Sequence, residues 1–290
     1  MRVLWATAAI LAVTQGACLG HGQEAMPAGQ LVREVVFNEL NDHQTHGYWR
    51  YWIERRNAKE TLVEDQVETK DGPINRVTLT DGHAPSPEAQ QQEQERLQRL
   101  LSSPAEQARH LQEYEEDEKR IGRILALLPD AFLYEYAGEE DGCSKLNFHP
   151  NPDYPAHSIE ARIFHAMSGT LWVNMRYKRL ARLDGHVQDN LDFGYGILGR
   201  LYKGGWFQLE RSQVSATDWK TAHLEVHMTG RALMVKSFAK ETSELRGGFA
   251  PVPAGMNLAQ GMALLEQTLA QNKPHSKQSL IAPAALAMRR

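Results

Sequence analysis

The chain has 290 residues, of which 42% are hydrophobic and 23% are charged, so it is long enough for one large domain or two small ones with a hydrophobic core. Its formal net charge is -4, and no run of lysine and arginine is interleaved with aromatic residues. These properties exclude the basic surface with which proteins hold phosphate backbones, and we expect no nucleic-acid partner.

The N-terminal residues 1–20 have the composition of a secretory signal peptide. A positive charge precedes an apolar run over residues 3–13, and small residues follow the run. The run is too short to span a membrane and no later window is long enough, so we expect a periplasmic bacterial protein without a transmembrane segment in its mature chain. Cleavage after Gly20 would remove Cys18, whereas cleavage before Cys18 would leave that cysteine available for a lipid anchor. In the first case Cys143 is the single cysteine, which excludes a disulfide framework.

Residues 28–41 predict an amphipathic helix, because their apolar side chains recur at helical spacing on one face. Those side chains are Leu31, Val32, Val35, Val36 and Leu40. Three segments follow, at residues 48–56, 60–68 and 74–82, that are rich in β-branched and aromatic residues or alternate apolar with polar ones. Turn signals separate them, so we predict an antiparallel meander.

Residues 84–128 are rich in glutamine and glutamate and predict a helical hairpin inserted between strands. Ser86 and Ser103 each precede a proline, which is typical of a helix N-cap followed by its first turn. The acidic sequence YEEDEK at residues 114–119 is typical of a solvated helix face, and contact with a partner peptide is the alternative.

Strand-like segments return over residues 131–239 and predict a large antiparallel sheet. We predict turns at Asp184–Gly185 and at Thr229–Gly230. Asn257 is placed to cap a final amphipathic helix. The apolar face of that helix consists of Leu258, Met262, Leu265 and Leu269. Residues 273–290 carry four Lys/Arg, no acidic residue and two prolines, and we predict that they form a mobile tail.

The glycine string GYGILG at residues 194–199 matches G-x-G-x-x-G, the fingerprint of dinucleotide binding. That chemistry needs a buried strand before the glycines and a helix after them, so that the helix N-terminus meets the pyrophosphate. Here a polar segment precedes the string, and Gly204–Gly205 interrupts any helix behind it. We therefore expect no nucleotide and no other cofactor, and we interpret the glycines as positions where a strand bends.

The sequence HLEVH places His223, Glu225 and His227 on one face of a predicted strand. Because residues four apart on a strand lie about 13 Å apart, both histidines cannot reach one metal ion at about 2 Å without a bend. His43 and His46 form a second histidine pair, with no partner placed by spacing. We expect no metal site, and a metal-assisted hydrolase that uses these residues remains an alternative.

No set of residues for nucleophilic catalysis is evident in the sequence. Ser168 lacks the glycine spacing of a nucleophile elbow. Cys143 lies among acidic residues, which raise the pKa of a thiol and so reduce its nucleophilic fraction. We therefore predict that the protein is not an enzyme.

Apolar and aromatic side chains are concentrated on the predicted strands, where alternation places them on a common face. If the sheet is open and curved, this face is either packed by helices or lines an apolar cavity. The predicted cavity residues are Trp49, Tyr51, Ile53, Leu171, Val173, Met175, Phe207, Leu209, Leu224, Val226 and Met228.

Residues 159–239 contain several motifs in order: LDGHV, FGYGILG, KGGWF, a tryptophan that opens the next strand, and GRALMVKSF. In this order they resemble a group of exported bacterial proteins similar to the outer-membrane lipoprotein-sorting (LolA-like) superfamily. The resemblance implies an open, strongly curved antiparallel sheet, a half-barrel closed by helices, with an apolar cavity that takes lipid or acyl chains. The long helical hairpin departs from this pattern and leaves open whether the cavity is empty or filled.

We therefore predict a single α+β domain, mainly antiparallel β, over residues 21–272, with residues 84–128 as an inserted helical hairpin. The expected function is that of a carrier or sensor of lipid, lipoprotein or other acyl-chain ligands. The alternative is an envelope protein with a filled core that docks a protein partner through the acidic hairpin.

Overall fold

A computed structural model describes residues 26–41, 47–193, 199–232 and 236–271. The helices are α1 (Ala28–Leu40), α2 (Pro87–Ser102), α3 (Pro104–Ala131), α4 (Ile159–Phe164) and α5 (Leu258–Gln271). The strands are β1 (Tyr48–Asn57), β2 (Thr61–Val67), β3 (Ile74–Thr80), β4 (Phe132–Glu140), β5 (Cys143–Pro150), β6 (Met167–Asn174), β7 (Arg179–Val187), β8 (Leu191–Phe193), β9 (Gly199–Leu201), β10 (Trp206–Gln213), β11 (Trp219–Ala232) and β12 (Lys236–Val252). The predicted signal peptide and tail, His43, His46 and residues 194–198 of the glycine string lie outside the described residues.

The strands form one antiparallel sheet in the order β3-β2-β1-β12-β11-β10-β7-β6-β5-β4, and the short strands β8 and β9 pair beside β11. Within the described ranges the path ends at β3 and at β4, so the sheet is open and is not closed into a barrel. This topology confirms the predicted fold class, a mainly antiparallel α+β fold with an open, curved sheet.

The predicted helix N-caps are present. Ser86 Oγ accepts a hydrogen bond from the backbone N–H three residues later (3.2 Å), and Ser103 Oγ does the same at α3 (3.3 Å). At α5, Asn257 Oδ1 accepts from the backbone N–H of Gln260 (2.9 Å), whose side chain accepts from the backbone N–H of Asn257 (3.0 Å). This reciprocal pair is a capping box. The predicted hairpin and the predicted final helix are therefore confirmed.

Both turns predicted in the second half of the chain are wrong. Asp184–Gly185 lies inside β7 and Thr229–Gly230 lies inside β11, while the turn before β7 falls at residues 175–178. Gly185 pairs with Gly169 of β6, and a Cβ on Gly185 would lie 2.4 Å from a ring carbon of Phe207. This glycine leaves room for an aromatic ring on the neighbouring strand. The Asp-Gly sequence alone does not show whether its glycine forms a turn or packs beneath such a ring.

The main hydrophobic core lies on the side of the sheet that α1 covers, here called the α1 face. The apolar side of α1 predicted from the sequence packs there, and Leu31 is 0% exposed. Each fully buried aliphatic side chain of this kind stabilises the fold by about 1.5–3 kcal/mol. The strand residues of this main core include Phe132, Leu146, Phe148, Leu171, Val173 and Leu180.

A second core lies on the opposite side of the sheet, here called the α5 face. In β2, Glu64 pairs with Ile53 of β1 on the α1 face, and alternation therefore puts Val67 on the other side. Val67 and its cross-strand partner Ile74 pack against α2 and α5. The helix residues of this second core are Leu97, Leu100, Leu258, Met262 and Leu265. Helices therefore cover parts of both faces.

Helix α2 also covers the edge of the sheet at β3. The Val77 N–H donates to Glu93 Oε1 (3.3 Å), and the Arg96 guanidinium donates to the Asn75 carbonyl (2.8 Å). These side chains satisfy backbone groups that a further strand would otherwise pair with, which is a known way to protect an edge strand. The hairpin is thus integrated into the sheet through its first helix.

Candidate functional site

Strand pairing places the predicted cavity residues of β1, β6, β10 and β11 on the α1 face. One row crosses the sheet, because each member lies opposite the next: Arg55, Glu244, Leu224, Leu209, Leu183, Leu171 and Leu146. The adjacent row consists of Thr242, Val226, Phe207, Gly185, Gly169 and Phe148. The predicted residues share a face, but their surroundings differ along it.

The three predicted residues of β1 form a compact aromatic cluster. Trp49, Tyr51 and Ile53 are all buried and pack with Val214 and Phe249. The ring centroids of Tyr51 and Phe249 are 5.1 Å apart. Burial raises the pKa of the Tyr51 hydroxyl above its usual value, with the carboxylate of Glu68 as a further cause. These side chains are filled core in the described structure.

The three predicted residues around β6 lie in two different settings. Leu171 and Val173 are buried in the main core beneath α1. Met175 lies beyond the end of β6, in the turn at residues 175–178, and its side chain is 36% exposed. Because the strand ends at Asn174, the alternation that predicted an inward Met175 does not continue to it.

The five remaining predicted residues are half-buried and lie next to one another on β10 and β11. This half-buried strip consists of Phe207, Leu209, Leu224, Val226 and Met228. Phe207, Leu209 and Met228 touch the main core on one side. On the other side the sheet continues through β12 to the β1 aromatic cluster. The strip is thus an apolar floor between two buried clusters.

Beyond the strip, four charged residues of β1, β2 and β12 are joined by hydrogen bonds on the α1 face. Arg55 Nε donates to Glu244 Oε2 (3.0 Å), and its guanidinium also bonds Glu64. Arg246 Nε donates to Glu244 Oε1 (2.6 Å). Burial alone would raise the pKa of Glu244, but the guanidiniums of Arg246 and Arg55 outweigh it and hold this pKa below its usual value. We call this group the ionic cluster: Arg55, Glu64, Glu244 and Arg246.

Helix α1 is held beside the strip by a buried carboxylate in its last turn. Glu39 accepts hydrogen bonds from Arg179 Nε and Nη2 (both 3.0 Å) and from the Leu180 N–H (3.0 Å), and it also bonds the Arg211 guanidinium. The three charged side chains are at most 14% exposed. One carboxylate therefore joins α1 to both β7 and β10.

The histidines of HLEVH lie on the α5 face, away from the strip. His227 Nε2 is 3.2 Å from Glu225, and His223 Nε2 is 3.7 Å from the same carboxylate. The His227 ring stacks on Trp206, with centroids 4.3 Å apart. Among the described residues no group of three or more His, Cys, Asp or Glu side chains is arranged to hold a metal ion.

Ser168 has a histidine neighbour that the sequence did not predict. Ser168 Oγ lies 3.3 Å from His186 Nε2 and accepts a hydrogen bond from Gln188 (2.5 Å). The nearby carboxylate of Asp184 is bonded twice by Arg182 (2.9 and 2.6 Å) and not by His186. Among the described residues no carboxylate bonds His186, so the acid that orients the histidine of a serine triad is not found there.

The thiol of Cys143 lies at the start of β5. Partial burial and the nearby carboxylate of Asp141 raise its pKa. As the sequence predicted, its surroundings disfavour the thiolate.

The ionic cluster was missed by sequence reasoning. It joins two distant parts of the chain, because Arg55 and Glu244 are 189 residues apart. The strand-like segments predicted over residues 131–239 stop short of Glu244 and Arg246, whereas β12 continues to Val252. The available signal was the alternation of β1, which places Arg55 on the same side as Ile53.

No protein-family model matches the chain, and no curated protein matches it significantly. Two solved structures show a distant similarity. One is a DUF1329 family protein from Desulfovibrio piger ATCC 29098, with 10% identity, coverage of 81% of this chain and 97% of that chain, and a TM-score of 0.29. The other is MucB in complex with MucA(peri), with 10% identity, coverage of 78% and 100%, and a TM-score of 0.23. Within the described ranges, no helix has the length and apolar character needed to cross a membrane.

Proposed function

We propose that this protein binds a lipid-like ligand on the half-buried strip and acts as a carrier or sensor that performs no chemistry on it. The observation that supports this proposal is a continuous apolar floor, from Phe207 and Leu209 on β10 to Leu224 and Val226 on β11, that stays half-buried between two filled clusters. Each methylene group buried there contributes about 0.8 kcal/mol, so an acyl chain needs no polar motif for affinity.

The proposal places the protein outside the cytoplasm, in a periplasm. The support is the signal-like composition of residues 1–20. A carrier or sensor of acyl chains has a role there, because such chains must pass an aqueous compartment in which their apolar surface is unfavourable.

Ligand binding is tested in two steps. The full chain is expressed in a cell that exports it, extracted gently and examined by native mass spectrometry, which should detect a bound lipid. A fluorescent acyl probe is then titrated into the delipidated protein and into two variants. Val226→Arg puts a charge into the strip and should abolish binding. Leu245→Arg is the matched control, because Leu245 is 39% exposed on the α5 face of β12. If neither step finds a ligand, the proposal is wrong.

A second candidate function, docking of an envelope partner through the hairpin, is favoured by the exposed apolar residues of α3. Ile121 is 53% exposed and Tyr114 is 37% exposed, and α3 buries only Ala131 fully among its residues. Deleting the hairpin would not test this idea, since Leu97 and Leu100 of α2 belong to the second core. Ile121→Ser should instead reduce recovery of a cross-linked partner, while Leu133→Ser on β4 should not; equal recovery from both variants would exclude α3 as the docking element.

A further inference from the structure

The ionic cluster presents its cations to solvent and keeps its anions underneath. The side chains of Arg55 and Arg246 are 37% and 28% exposed, whereas those of Glu64 and Glu244 are 9% and 11% exposed. A molecule that approaches the α1 face over β12 and β1 therefore meets guanidinium groups before it meets carboxylates.

Lys240 adds a further cation to this region. It lies on β12 opposite Met228, the last residue of the half-buried strip, and its side chain is exposed. Lys240 lies four residues from Glu244 along β12, about 13 Å at the rise of a strand, so it adds positive charge to the border of the strip and not to the ionic cluster itself. Charge complementarity thus favours an anionic group beside the strip.

Arg55 and Arg246 both bind a carboxylate within the protein, that of Glu244. Both donate from Nε to the same Glu244 carboxylate, at 3.0 Å from Arg55 and 2.6 Å from Arg246. Guanidinium groups match the planar carboxylate and bind it with charge-assisted hydrogen bonds. Each guanidinium has further N–H groups, and the exposed fractions of the two side chains leave part of them accessible.

The apolar strip begins directly beside this cluster. Leu224 lies opposite Glu244, Leu209 lies opposite Leu224, and Leu183 lies opposite Leu209. Three strand spacings of about 4.8 Å each place the main core about 14 Å from the ionic cluster. A chain laid across the strands would keep contact with apolar side chains over that whole distance.

We infer that the ligand is a single-chain amphiphile with a carboxylate head group, its chain across Leu224 and Leu209 and its head group at Arg55 and Arg246. This inference rests on the proposed function and names the ligand class of the same site. The head group adds hydrogen bonds to the exposed guanidinium edges without displacing Glu64 or Glu244.

The test compares dodecanoic acid with dodecan-1-ol on the delipidated full chain, by calorimetric titration at a pH where the acid is ionised. The acid should bind at least about tenfold more tightly than the alcohol, a difference of about 1.4 kcal/mol. The preference should shrink as salt is added, because screening weakens partly exposed charge pairs. Equal affinity for the two ligands would overturn the inference while leaving the proposed function intact, and binding of neither would overturn both.

Variants assign the preference to the two arginines. Arg55→Gln with Arg246→Gln should remove the preference for the acid over the alcohol. Since this change strips two buried carboxylates of their partners, a second variant also carries Glu64→Gln and Glu244→Gln, which keeps the cluster neutral and hydrogen-bonded. Arg56→Gln is the control, because Arg56 is 65% exposed on the opposite face of β1. A preference that survives in the fourfold variant would assign the head group elsewhere and overturn the inference.

Discussion

Among single residues, Glu39 makes the clearest case for a buried charge that fixes an element in place. We predict that Glu39→Gln lowers the free energy of unfolding by about 3–5 kcal/mol, because it removes the buried carboxylate that the guanidiniums of Arg179 and Arg211 both contact. Chemical denaturation measures the change. The matched control is Glu34→Gln, on the same helix, whose carboxylate is 39% exposed and 4.0 Å from Lys178. The control should change stability by less than about 1 kcal/mol, and equal effects of both substitutions would contradict this account.

Asp218 gives the free energy of unfolding a dependence on acid pH. Burial alone would raise its pKa, but hydrogen bonds from Ser215, the Gly47 N–H (2.6 Å) and Thr217 (3.0 Å) outweigh burial and hold the pKa below the usual value. A carboxyl with a lowered folded-state pKa stabilises the fold fully above its unfolded-state pKa of about 3.9, and this contribution is lost as pH falls through the folded-state value.

We therefore predict that Asp218→Asn costs about 1–3 kcal/mol at neutral pH, where the ionised carboxylate of the wild type accepts its hydrogen bonds. The gap between wild type and variant should close as the pH falls below about 4. Urea denaturation across this range measures both curves. A gap that stays constant throughout the acid range would show that ionisation of Asp218 does not contribute.

At the scale of single residues, the sequence predicted correctly which strand side chains share a face, because that depends only on the alternation of side chains along a strand. It identified the shared face of Ile53, Leu171, Leu209 and Leu224, because side chains alternate strictly along a paired strand. It could not identify the ionic cluster or the Glu39 contacts, since partners 140 to 189 residues apart meet only after the strand order is known.

At the scale of whole elements, the positions of α1, α2, α3 and α5 were predictable from the sequence. The short helix α4 was not predicted, and the ends of the strands were less predictable than their positions. Apolar spacing and Ser-Pro starts mark α1, α2 and α3 locally. The Asp-Gly and Thr-Gly dipeptides, predicted as turns, lie inside β7 and β11. For Asp184–Gly185 the reason is that a glycine that leaves room for a neighbouring ring has the same local sequence as a glycine that turns the chain. The ring over Gly185 belongs to Phe207, on a different strand.

This interpretation of the β6 and β7 glycines predicts a severe effect of a single methyl group. In Gly169→Ala the new Cβ would lie 1.9 Å from the Asp184 carbonyl oxygen and 2.7 Å from the Phe148 ring, so the strands must separate. We expect a loss of about 1–3 kcal/mol or more, measured by thermal and denaturant unfolding. Gly29→Ala in α1 is the control, since its nearest neighbour would be 3.9 Å away and alanine favours a helix by up to about 1 kcal/mol. A neutral Gly169→Ala would contradict the packing role.

For the whole molecule, the sequence pattern could not predict that two cores lie on opposite faces of one sheet. The sequence shows the apolar sides of α1 and α5, but which face of the sheet each side meets depends on strand order and on bulges. The register shifts in β1 between Arg50 and Trp52 and in β10 between Glu210 and Arg211 are examples. A shift of one residue exchanges the two faces, and no local signal fixes it.

The division into two cores makes a prediction about how the molecule opens. Leu97 in the second core and Leu146 in the main core are both 0% exposed, and replacing either by alanine should cost about 2–5 kcal/mol. The cores lie at opposite ends of the sheet and share no helix residue. Each substitution should therefore lower mainly the local stability of the elements that pack around it. Hydrogen exchange should therefore accelerate in α2, α5, β2 and β3 for Leu97→Ala, and in α1 and β4 to β7 for Leu146→Ala. If both variants instead accelerate exchange uniformly along the described chain, the central strands β1, β10, β11 and β12 couple the two cores into one cooperative unit, and the half-buried strip is as rigid as the cores beside it.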